Sequence, residues 1–161
     1  MKKQRMKLCC FLLLSLLLFA ACKANYRQDL SAYEIADYLE TEGAATLLRQ
    51  MDDNAAFFGD LELDIPFALR LAEDGSNLDE FAVFACNDAA EAKTLAKKLE
   101  SYLAERYEKD KDWYLSYIPD ELPKLQNAEV RTYGKYVVYA VLSQDSRNHA
   151  FDLVRQKLLQ A

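Results

Sequence analysis

Residues 65–86 read IPFALRLAEDGSNLDEFAVFAC, and their pattern decides the fold. Ile65, Phe67, Leu69 and Leu71 alternate with Pro66, Ala68, Arg70 and Ala72. Successive side chains of a strand point to opposite faces, so this period of two predicts a half-buried strand. Pro66 has no N–H for a ladder and fits only at the start or on an edge. Asp74-Gly75-Ser76-Asn77 is a turn cluster. Glu80 to Cys86 follows as a second strand, apolar on both faces and therefore central.

Toward the C-terminus, Asn87-Asp88 offers helix caps. Ala92, Leu95, Ala96, Leu99, Tyr102, Leu103 and Tyr107 recur at helical spacing, with Lys93, Lys97, Glu100 and Glu108 off the stripe. This predicts a helix over about Ala89–Lys109. From Trp113 to Pro123 the two prolines, Pro119 and Pro123, forbid one long helix. A connection with room for a short helix is expected there. Ala128–Tyr133 and Tyr136–Ser143 read as two strands joined at Gly134-Lys135, with glycine at the first central position as a type II′ hairpin requires. Val137, Tyr139 and Val141 should face one way, and Tyr136, Val138, Ala140 and Leu142 the other. A final helix begins near Asp145 or Ser146, with Phe151, Val154 and Leu158 as its buried stripe.

Toward the N-terminus, Ser31 and Glu34 form a capping box and Leu30 and Ile35 its hydrophobic staple, predicting a helix over about Ala32–Thr41 ended by Gly43. Ala44–Asp60 is ambiguous, and Thr46–Met51 could continue as helix. The expected class is α+β: an antiparallel four-stranded sheet covered by helices on one face, in the order α-ββα-ββα. The repeated strand–strand–helix order suggests a structural pseudo-repeat.

The first seven residues carry four positive charges and no acid, and Leu8–Ala21 is an apolar run of 14 residues broken only by Ser15. A membrane-spanning helix needs about 20 residues, so a secretory signal over residues 1–21 is the better reading than an uncleaved anchor. Leu18-Phe19-Ala20-Ala21-Cys22 resembles a bacterial lipobox, with Phe19 where Leu is usual. Cys22 is then the lipidated N-terminus. Ordinary cleavage, leaving Cys22 a free thiol, is the competing reading. Residues 22–30 are expected to form a tether and 31–161 a single domain. A diacylglyceryl cysteine supplies two chains and holds stably, so the protein should sit on the outer face of the cytoplasmic membrane of a Gram-positive bacterium without crossing it.

The signal holds four of the 20 basic residues and none of the 26 acids, which leaves the chain from Cys22 on with 16 basic and 26 acidic residues and a charge of −10. That balance argues against nucleic acid and against adhesion to anionic lipid. After Cys22 only Cys86 remains, so no internal disulfide forms. With one cysteine and one histidine, His149, the usual zinc sets cannot be assembled and nucleophilic triads have no support. No metal or cofactor is expected.

Asp79-Glu80-Phe81-Ala82-Val83-Phe84 resembles an acidic-Glu-apolar-Ala-apolar-Phe strand motif. Asn127-Ala128-Glu129-Val130 followed by Gly134-Lys135-Tyr136-Val137-Val138 resembles a second motif. In this order behind a lipobox they are similar to a family of bacterial lipoproteins, mostly from Firmicutes, described as a domain of unknown function (4358 in its series). The resemblance covers about Ser31–Leu159, with Phe81 where Ile or Leu is commoner. It implies an exported, membrane-anchored Gram-positive protein and carries no activity and no site residues.

Three clusters are candidate sites. Trp113, Tyr114, Tyr117, Asp120 and Glu121 combine aromatic area with polar handles, which suits a protein or glycan partner. The competing reading is aromatics packed over the sheet. Asp79 and Glu80 are paired carboxylates, but neighbours in a strand face opposite ways, so a solvated strand start is expected. Asp52, Asp53, Asp60, Glu62 and Asp64 could offer oxygens to calcium, yet their spacing fits no EF-hand and a solvated acidic loop is expected. His149 should be exposed, and Cys86 has no basic neighbour in sequence to activate it. The functional expectation is a noncatalytic binding module for an envelope protein or glycan. The alternatives are a hydrolase acting through carboxylates, and a lipoprotein that binds a small ligand in a cavity between sheet and helices.

Overall fold

The computed structural model describes residues 25–45, 48–50, 57, 58, 61 and 63–159. The segment read as a signal, and Cys22, lie outside the described residues. Helix α1 spans Ala32–Thr41. Glu34 N–H donates to Ser31 Oγ at 3.2 Å, and Ser31 N–H to Glu34 Oε2 at 2.7 Å, so both halves of the capping box form. Gly43, at φ +76°, ends the helix. Its N–H bonds Glu40 O, and Ala44 N–H bonds Leu39 O, which satisfies carbonyls of the last turn.

The strands are β1 (Leu48–Gln50), β2 (Phe67–Ala72), β3 (Glu80–Ala85), β4 (Glu129–Tyr133) and β5 (Tyr136–Val141). They form one antiparallel sheet in the order β1-β2-β3-β5-β4. The sheet therefore has five strands, not the four expected. The addition is β1, which pairs Leu48 with Ala72 and Gln50 with Arg70. After the glycine cap the chain is no longer helical, and the open hydrogen-bonding edge of β2 takes up 48–50 instead of a continued helix. Thr46, Leu47 and Met51 lie outside the described residues.

Helix α2 spans Ala89–Tyr117, α3 Leu122–Gln126 and α4 Gln144–Leu159. The helices cover both faces of the sheet, correcting the one-face expectation. Phe81, Val83, Tyr136, Val138 and Ala140 meet α1 and α4 on one side. Ala82, Phe84, Val137, Tyr139 and Val141 meet α2 on the other. The cause is β3 and β5 themselves: strands apolar on both faces need an apolar layer against each. The order is α-βββ-αα-ββ-α.

Arg70 counted as the polar phase of its strand, yet it is 2% exposed. Its Nη2 lies 2.5 Å from Asp37 Oδ1 and its Nε 3.1 Å from Glu40 Oε2, which pins α1 to the sheet. At the other edge Arg147 Nε meets Glu129 Oε1 at 2.9 Å. Residues 25–30, read from sequence as part of a tether, lie against the domain. Tyr26 packs edge-on to Tyr133, Arg27 N–H donates to Leu158 O at 2.9 Å, and Tyr136 OH donates to Leu30 O at 2.7 Å.

Candidate functional site

Asp88 starts α2 by accepting the N–H groups of Ala90 and Glu91 at its Oδ1. No breaker follows until Pro119, so the helix runs to Tyr117, eight residues past its expected end at Lys109. Ile118, the residue before that proline, has left helical geometry at φ −142° and ψ 59°. At 1.5 Å per residue the helix is about 43 Å long, while six-residue β3 is only about 20 Å. Arg106 already lies opposite Glu80, the first residue of β3. Past Arg106 the helix still rests through Tyr107 and Tyr114 on the core that includes Val130 of β4, and it reaches about 16 Å further at Tyr117, where its end stands clear of the strands.

That overrun explains Trp113 and Tyr117. Tyr117 stands about five whole turns beyond Leu99, and Trp113 about four, so both share the face that Leu99 buries. Leu99 is fully buried, whereas Trp113 is 53% and Tyr117 69% exposed. The same face of α2, after Arg106 and Asp110, carries aromatics again beyond the layer it covers. The rings of Trp113 and Tyr117 lie 5.0 Å apart, and Trp113 meets Tyr114 edge-on at 5.3 Å. Leu115, at 56% exposed, adds to the tip, which the sequence reading left out. Tyr114 is partly buried against the core on the α2 side of the sheet.

The structure divides the predicted cluster. Trp113, Tyr114 and Tyr117 come together as one helical tip, and Asp120 is exposed beyond it. Glu121 turns away: its Oε2 accepts Leu78 N–H at 2.8 Å and Lys124 Nζ at 2.7 Å, closing the Asp74–Asp79 turn onto α3. Lys124 also holds Asp79 Oδ1 at 2.7 Å. Burial opposes the Lys124 ammonium, but the hydrogen bonds with Asp79 and Glu121 outweigh it and raise the pKa.

Glu80 is a correction. It is 3% exposed rather than a solvated strand start. Its Oε1 receives Arg106 Nη1 at 2.5 Å and the Tyr139 hydroxyl at 3.0 Å. Burial weighs against the Arg106 cation, yet the Glu80 charge raises its pKa above the usual value. Burial, and then the Glu80 charge, push the Tyr139 phenol well above its ordinary range. The signal for this pairing was present: Arg106 falls about two turns past Leu99, on the apolar stripe, where a charge needs a partner. Asp79 and Glu80 are thus held by different cations and share no site.

Sequence reasoning also missed a groove of about 880 Å³ between Phe57, Phe58 and the α2 residues Tyr102, Arg106 and Lys109. Cys86 is buried, and its thiol is pushed up to about 11 by burial and by Glu91 and Asp88. His149 is exposed, with Nε2 3.4 Å from Glu42 O. Asp52, Asp53, Asp60 and Glu62 lie outside the described residues, and Asp64 is exposed. Among the described residues no three His, Cys, Asp or Glu side chains are grouped to hold a metal ion, and no helix is long and apolar enough to cross a membrane.

Fold and site together define a mixed α/β domain whose longest helix overruns its sheet. Residues 63–142 match the model of the family described as Domain of unknown function (DUF4358), and over that segment the chain is similar to it. The matched segment holds β2 to β5, α2 and α3, and so includes the aromatic tip. No curated protein and no solved structure matches the chain.

Proposed function

We propose that the protein is a lipid-anchored extracytoplasmic module that works by binding rather than by catalysis, and that its contact surface is the end of α2. The observation that carries this reading is the uncovered end of the core-facing side of α2, where Trp113 and Tyr117 stand in solvent with Leu115 exposed on the far side of the same turn. Aromatic clusters of this kind supply most of the energy of protein contacts. The buried charged groups give the reading further support. Arg70, Glu80 and Arg147 are each closed within pairs that hold helices on the sheet.

The address rests on the basic-then-apolar leader and on the lipobox ending in Cys22. Asn25 lies three residues from Cys22, a reach of about 10 Å at most. Because residues 25–30 pack on the domain, the anchored protein would stand close to the bilayer. In-cell cross-linking of the tagged protein, followed by mass spectrometry, tests both halves. A reproducible partner that is lost with Trp113→Ala/Tyr117→Ala and reduced with Cys22→Ser is expected. Capture that is indifferent to both variants would overturn the reading.

A further inference from the structure

We propose that the end of α2 takes a cationic, extended protein segment, with lysine or arginine side chains laid over Trp113 and Tyr117 and met by Asp112 and Asp120. The proposal deepens the binding reading above and rests on it.

Charge selects the occupant. Between Glu108 and Glu121 the chain carries five acids and two lysines. Lys111 is engaged by Glu108 at 2.5 Å, and the nearby Lys124 by Asp79 and Glu121. Lys109, a turn back on the groove side, is the other lysine. Asp112 and Asp120 are exposed and have no ion-pair partner among the described residues. The helix end adds to this field. Its last turn has no basic residue. Pro119 has no N–H to offer the Leu115 carbonyl, and no backbone bond from beyond the helix reaches Ser116 O or Tyr117 O among the described residues. The C-terminal end of a helix carries partial negative charge and favours a cation. Indole and phenol faces attract the same groups.

Size and place remove the two rival occupants. The exposed parts of Trp113, Leu115 and Tyr117 amount to an area on the order of 350 Å². A stable dimer needs about 800 Å² from each copy, and a second copy would bring like charges together. With the anchor at Cys22 proposed above, the membrane would lie at the other end of the domain. A Cβ on Gly134 would fall 2.6 Å from Gln28 Nε2, so the N-terminal segment runs beside the β4–β5 turn. Cys86 N–H donates to Lys135 O in that same turn, and α2 starts three residues later. Helix α2 therefore begins at the anchor end and carries its tip about 40 Å away from it.

Trp113 is the only tryptophan of the chain, so its emission reports the tip directly. The purified full-length protein is titrated with a lysine–serine decapeptide, a glutamate–serine decapeptide, an N-acetylglucosamine oligomer and phosphatidylcholine vesicles. A saturable change with the lysine peptide alone is expected, weakened about tenfold between about 50 and about 500 mM salt as charges are screened. Asp112→Asn/Asp120→Asn should weaken it at least about fivefold at the lower salt, with an unchanged thermal midpoint. No response to the lysine peptide, an equal response to any other probe, or indifference to the charge variant overturns the proposal. So does a concentration-dependent change without any probe that Tyr117→Ala abolishes, which would identify a second copy. If the lysine peptide fails while Trp113→Ala/Tyr117→Ala still removes the cross-linked partner in cells, the cationic occupant is wrong and the binding reading stands. If that double variant also leaves cross-linking unchanged, both fall.

Discussion

Arg106→Ala should destabilise the domain by about 3–5 kcal/mol, because it leaves the Glu80 carboxylate buried without its cation. Glu80 is 3% exposed and would keep only the Tyr139 hydroxyl as a donor. For a domain of this size each kcal/mol moves the thermal midpoint by roughly 3–5 °C, so a fall of about 10–25 °C is expected by circular dichroism. Removing both charges should behave differently. Glu80→Leu/Arg106→Met replaces the pair with apolar side chains, a change that is often neutral or better. The Tyr139 hydroxyl is then buried without an acceptor, at a cost of about 1–3 kcal/mol. Adding Tyr139→Phe removes that orphan, and the triple variant should recover most of the loss. The reasoning is refuted if Arg106→Ala stays within about 1 kcal/mol of the parent, or if the triple variant is no more stable than Arg106→Ala.

Leu99→Ala and Tyr117→Ala lie on one helix face, yet the first should cost about 2–5 kcal/mol in urea unfolding and the second less than about 1, because only Leu99 faces the sheet. Ser31→Ala should cost about 1 kcal/mol by opening the capping box, seen as a lower urea midpoint with an unchanged slope. Stability should fall on the alkaline side. Lys124, Tyr133 (pushed up to about 12, mainly by burial) and Tyr139 all have pKa values raised by folding. The stability they contribute is complete below their unfolded pKa values near 10 and is lost as the pH rises through the folded ones, so urea midpoints should hold to about pH 9.5 and drop by pH 11. Cys86, with its thiol at about 11, should resist iodoacetamide at pH 8 in the folded protein and react once it is unfolded.

What could be read from the sequence depended on how local each cause was. The capping box at Ser31 and the two facing sets of β5 need only neighbours along one element, and both stand as expected. Strand β1 has three residues and no period to detect, and only the open edge of β2 makes it a strand. The second helical layer could have been inferred, since β3 reads as apolar on both faces. The end of α2 was misplaced because aromatics gathered near prolines resemble a connection, although the first breaker is Pro119. Glu80 looked solvated because its partner Arg106 is 26 residues away on another element. At the tip, Trp113, Tyr114 and Tyr117 were legible as residue types. Their exposure was not, because it depends on where the sheet stops beneath the helix. Glu121 was drawn to the cluster by sequence proximity, while its bonds to Leu78 and Lys124 give it another task.

The central claim is that the face of α2 stays uncovered beyond the strands, and Trp113 is the chain's own reporter of it. Acrylamide quenching of Trp113 emission, compared between the folded protein and the same protein in denaturant, tests this most directly. The account predicts a folded-state emission maximum close to the denatured one and quenching of similar efficiency. A blue-shifted indole shielded from acrylamide in the isolated folded protein would contradict it, because the tip would then already be covered.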